Sequence, residues 1–137
     1  MKLRLYGASI RFRFDSQEVA RLSRGEALEA QVRMGPVEDQ VFRYRVVPVD
    51  GHTMPDHSQL KASMDDPRTL TVSASLDALG AWNECAGLAL AVEQTWPGGS
   101  IKLALEKDMQ RLNPKPEEES AHAYPNPQFG KAHCVHP

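Results

Sequence analysis

Cysteine is scarce in this chain. Only Cys85 and Cys134 occur in 137 residues, far apart and in dissimilar surroundings. A pair so placed does not define a disulfide framework, and the expectation is free thiols in a cytoplasmic protein. Long apolar runs are also lacking, so no stretch approaches the length of a membrane span. Arg4, Arg11 and Arg13 break up the first apolar stretch, which argues against a secretory signal there. Neither sign of charge dominates: the net charge is −2, and no bulk attraction to nucleic acid or membrane follows. No glycine-rich phosphate loop is present, since the clustered Gly98-Gly99 follow Trp96-Pro97 in a turn. No nucleophile elbow and no Cys/His/Asp set is recognisable either. These absences remove the usual signatures of enzymes and cofactor binders, and no cofactor is expected.

What the chain does have is alternation. In Lys2-Leu3-Arg4-Leu5-Tyr6 the apolar positions are odd, and in Ile10-Arg11-Phe12-Arg13-Phe14 they are even. One straight strand would send the two sets to opposite faces. A two-residue turn at Gly7-Ala8 resolves the conflict, pairing Leu5 with Ile10 and Leu3 with Phe12. Glycine at the first turn position suits a type II′ hairpin, with a bulge as the competing explanation. Residues 3, 5, 10, 12 and 14 are then expected in the core. Asp15 and Glu18 form a capping-box pattern for a helix over 16–23. Further alternating strands are expected at 27–34 and 40–47.

Residues 48–58, broken by Pro48, Gly51 and Pro55, read as a loop. Strands are expected again at 59–65 and 68–74. Ser75 then caps a helix over 76–83, and strands follow at 88–95 and 100–107. The order ββαββ therefore occurs twice, which suggests a duplication. The fold class is mainly β (α+β): a small antiparallel barrel of about eight strands with two short helices, spanning residues 1–109. Residues 110–137 contain Asn113-Pro-Lys-Pro and Tyr124-Pro-Asn-Pro, unsuited to helix or central strand, and read as an extended proline-rich tail. Docking of Tyr124 on the domain is expected.

Several short motifs fall in a recognisable order. They are the N-terminal Met-Lys-Leu-Arg-Leu-Tyr-Gly-Ala-Ser-Ile-Arg-Phe-Arg-Phe with Glu18-Val19, the segment 69–82 ending at Trp82, Leu105-Glu-Lys-Asp-Met109, and Tyr124-Pro-Asn-Pro127. Together they resemble a family of small bacterial domains of unknown function. In that family the third motif continues to a cysteine, where this chain has Arg111, so the resemblance implies no thiol role at that position. It implies a bacterial origin and this architecture, and it carries no assigned activity.

Three clusters carry candidate chemistry. The hairpin sets Lys2 opposite Arg13 and Arg4 opposite Arg11, four like charges on one face. Arginine suits bidentate contact with carboxylate or phosphate, so an anion or an acidic partner is one reading. Neutralisation by Glu93 or Glu106 from later strands is the other. Arg43 and Arg45 are candidates to extend the patch. Glu106 and Asp108 share one side of the last strand and could hold a metal or share a proton; their alternative is a charged strand end that pairs with the basic hairpin. His133-Cys134-x-His136 offers metal ligands at a spacing that matches no closed zinc site, and His52, His57 and His122 are too scattered to assign; no metal site is expected. Cys85 reads as a small packed side chain.

The leading reading is a non-catalytic binding domain whose Lys2, Arg4, Arg11 and Arg13 contact a small anion or an acidic protein. An enzyme with a site around Glu106 and Asp108 is the second. A DNA-binding swapped-hairpin domain is the third, resting on fold analogy alone. Membrane is not an expected partner, nucleic acid is disfavoured by the net charge, and oligomeric state does not follow from the sequence.

Overall fold

The computed structural model describes residues 1–87 and 89–109. The tail, with Tyr124 and the His133-Cys134-His136 cluster, lies outside the described residues. The elements are β1 (Lys2–Tyr6), β2 (Ser9–Phe14), α1 (Ser16–Ser23), β3 (Leu28–Arg33), β4 (Val41–Val49), β5 (Leu60–Asp66), β6 (Thr69–Ser75), α2 (Leu76–Glu84), β7 (Ala89–Trp96) and β8 (Gly99–Lys107). Every strand and helix expected from the sequence is present, β1, β2 and α1 with the expected ends and the others with ends displaced by no more than two residues. The fold is mainly β, with two helices.

The eight strands expected as one small antiparallel barrel are divided between two sheets, and their pairing is antiparallel except at one seam in each. They make two mixed four-stranded sheets, sheet A in the order β1-β2-β8-β7 and sheet B in the order β3-β4-β6-β5. The hairpins are antiparallel, but β2 runs parallel to β8 and β4 parallel to β6. Alternation sets which face of a strand is buried and is silent about its neighbour, so it could not show that each sheet joins one hairpin from each half.

The duplicated order is matched in register. In sheet A one inward row runs Leu3–Phe12–Leu105–Leu90. In sheet B the corresponding row runs Ala62–Val72–Val46–Leu28. Exchanging β1 with β5, β2 with β6, β3 with β7 and β4 with β8 carries one row onto the other. The inward positions two steps further on also correspond, Gln94 facing Ile101 in one half and Val32 facing Phe42 in the other.

Local chemistry explains the helices and turns. Asp15 accepts from the Glu18 N–H at 2.9 Å while the Glu18 side chain accepts from the Asp15 N–H at 3.0 Å, completing the capping box. Ser75 caps α2 from the equivalent place after β6. Gly7 has φ +54° while Ala8 is not left-handed, which excludes a type I′ turn and agrees with type II′. The helices pack on each other. They join those ends of β2, β3, β6 and β7 that lie away from the hairpin turns. Val19 and Leu22 of α1, and Leu79 and Trp82 of α2, are buried against Phe12, Phe14, Val46, Val72 and Leu105.

Two expectations are corrected, one about burial and one about a thiol. Leu5 is 58% exposed and Leu3 half-buried, although Ile10, Phe12 and Phe14 are core. β1 is an edge strand, and no described strand covers its outer side. Cys85 is disulfide-bonded rather than a free thiol. No helix among the described residues is long and apolar enough to cross a membrane.

Candidate functional site

Alternation and register together define the outer face of sheet A. Its rows are Lys2–Arg13–Glu106–Ala89, Arg4–Arg11–Ala104–Ala91 and Tyr6–Ser9–Lys102–Glu93. The hairpin therefore has the expected register, and its four basic side chains share one face. Lys102, not anticipated as part of it, joins them through the parallel pairing of β2 with β8.

The acids anticipated as neutralisers are partly in place. Glu106 accepts from Arg11 at 3.1 and 2.9 Å and from Arg13 at 3.4 Å. Lys2 donates to Asp108 at 3.2 Å. Glu93 lies across from Lys102 in the β7–β8 register. With Asp108 counted, the face holds five bases against three carboxylates, and Arg4 makes no ion pair among the described residues. Arg43 and Arg45 do not extend the patch. They stand on sheet B, where Arg43 approaches Glu29 at 3.7 Å and Arg45 bonds Asp65 at 2.6 Å and Thr71 at 2.9 Å. The Thr71 hydroxyl, followed by Arg45, holds the Asp65 carboxyl below the usual carboxylate range.

The small side chains of the second and third rows leave a hollow. A cavity of about 400 Å³ is lined by Ser9, Arg11, Ala91, Glu93, Lys102 and Ala104, among others. A smaller one, about 230 Å³, lies between Lys2, Arg4, Arg11 and Arg13 and shares Arg11 with the first. The surface is thus a shallow apolar floor of alanine bordered by guanidinium and ammonium groups.

Glu106 and Asp108 point to one side, as alternation requires, but each is engaged by a base of the hairpin. No group of three metal-ligating side chains occurs among the described residues. Between them, Lys107 takes the inward direction and is 5% exposed. Its ammonium donates to the Cys85 carbonyl and lies 5.9 Å from the centre of the Trp82 ring. Burial lowers its pKa from the ordinary lysine value. The signal for this buried base was in the alternation itself, since Leu103, Leu105 and Lys107 share a parity.

One further hollow, about 350 Å³, lies at the meeting of β5 and β7, lined by Asp56, Ser58, Lys61, Glu93 and Thr95 among others. Gln94 crosses this seam. Its carboxamide accepts from the Ala62 N–H at 2.8 Å and donates to the Ala62 carbonyl at 3.0 Å, as a neighbouring strand would.

The family model for a family of unknown function (DUF7009) matches residues 1–128, and the chain belongs to that family. No curated protein and no solved structure matches it.

Proposed function

We propose that this domain is a non-catalytic binding module that recognises an acidic protein segment through the outer face of sheet A. The observation that carries the reading is the excess of bases on that face, with Arg4 directly opposite Arg11 and one carboxylate, Glu106, shared by Arg11 and Arg13. Like charges held side by side favour an anionic partner that relieves them. The alanine floor beside them suits a chain with small apolar contacts rather than a lone ion. The carboxylate-centred enzyme reading has less support, because Glu106 and Asp108 are already tied to the hairpin's bases. A bacterial origin goes with the reading through the resemblance of the N-terminal hairpin. A cytoplasmic location loses the free-thiol argument, because Cys85 is disulfide-bonded.

Titration of glutamate-rich peptides, inorganic phosphate and duplex DNA against wild type and the Arg4→Glu/Arg11→Glu double variant tests this. Salt-sensitive peptide binding that drops at least tenfold in the double variant is expected. Preferential binding of DNA would move the assignment to the swapped-hairpin reading, and equal, negligible binding by both proteins would remove it.

A further inference from the structure

The two halves differ at one seam. β5 and β7 pack together, and Gln94 occupies both outward backbone groups of Ala62. In the other half, Leu3 takes the place of Ala62 and Val32 the place of Gln94. Valine cannot donate or accept, and Val32 is 45% exposed. Tyr6 and Ser9 flank the two-residue turn and so form a hydrogen-bonded pair. Alternation then leaves Leu5–Ile10 and Leu3–Phe12 as non-bonded pairs. The N–H and C=O groups of Leu3 and Leu5 accordingly point away from β2, toward an edge that no described strand occupies.

We propose that β1 is a strand-acceptor edge, and that the acidic segment inferred above binds there as a fifth strand of sheet A. The proposal rests on that basic-face reading and adds the mode of docking. Main-chain bonds to Leu3 and Leu5 supply the pairing. Outward residues of the incoming strand meet Lys2 and Arg4, so they are acidic. Inward residues meet Leu3 and the 58%-exposed Leu5, so they are apolar. A second copy of this chain is a poorer occupant, because antiparallel pairing of two β1 strands about Arg4 sets arginine against arginine.

A heptapeptide of alternating glutamate and valine is the probe, titrated against the full chain. The control is the same peptide N-methylated on alternate residues, which keeps every charge and removes the edge-facing donors. The unmethylated peptide should bind at least tenfold more tightly than the methylated one. It should protect the Leu3 and Leu5 amides from hydrogen exchange. The Leu5→Pro variant removes one edge donor, whose N–H points away from β2, and should weaken the peptide at least tenfold while binding inorganic polyphosphate as wild type does. Equal binding of both peptides overturns strand addition and leaves the basic-face reading standing, whereas binding of neither peptide nor polyphosphate removes both. Leu3 and Leu5 amides already protected in the free chain overturn the proposal by showing the edge occupied, by the chain itself or, if the protection depends on protein concentration, by a second copy.

Discussion

Arg11 and Glu106 are joined by two hydrogen bonds, 3.1 and 2.9 Å long, across the parallel seam of β2 and β8. The residues are 95 positions apart in the chain. The contact exists because the last hairpin lies beside the first, and it sets the charge of the face on which Lys2, Arg4, Arg11, Arg13 and Lys102 gather. Glu106 serves both Arg11 and Arg13, so its removal is the most direct way to change that face.

Glu106→Gln should leave Arg11 and Arg13 without their shared carboxylate. The cost in stability is small, about 1 kcal/mol or less, because both arginines are partly exposed and such pairs are screened. The affinity for glutamate-rich peptide should rise, with a steeper salt dependence than wild type. Calorimetry at two ionic strengths measures it, and unchanged affinity counts against the binding face.

Phe12→Ala should destabilise the domain by about 3–5 kcal/mol, the range for deleting a buried aromatic ring. Phe12 is 1% exposed, and its ring centre lies 6.1 Å from that of Phe14 and 6.2 Å from that of Tyr44. Denaturant unfolding gives the number, and a loss below about 1 kcal/mol contradicts the packing described.

Gln94→Leu should open the β5–β7 seam. Two side-chain-to-backbone bonds are lost and the groups of Ala62 are left half-buried, which costs about 1–2 kcal/mol. Hydrogen exchange at the Ala62 amide should accelerate more than at neighbouring β5 positions whose bonds go to β6. Uniform acceleration along β5 would show general loosening instead.

Asp65 links acid stability to sheet B. Its folded pKa lies below the ordinary value, through the Thr71 hydroxyl first and Arg45 second. Its contribution is therefore complete above the ordinary carboxylate range and is lost as pH falls through the lowered folded value. Asp65→Asn should lower the melting temperature modestly at neutral pH and change it little at acid pH, which flattens the acid limb of the profile. An unaltered acid limb removes Asp65 from the account.

Much of this was legible in the chain itself. The parity switch between Leu5 and Ile10 required the Gly7-Ala8 reversal, and the reversal required Arg4 to face Arg11. The capping residues Asp15 and Ser75 located both helices. Such features are decided within a few residues, by side-chain direction and backbone conformation, and short-range sequence is sufficient for them. The parity of Lys107 was equally local, although its burial beside Trp82 is a tertiary outcome.

Only the tertiary structure decided which hairpins share a sheet. An apolar stripe satisfies any partner that covers it, so Phe12 specifies burial but not the neighbour Leu105. That choice brought Lys102 and Glu106 to the basic face and sent Arg43 and Arg45 to the other sheet. It also left β1 at an edge, which exposes Leu5 in spite of its inward parity. The contrast between Gln94 and Val32 has meaning only once the two halves are laid in register, because a carboxamide can replace a missing strand only where two edges meet.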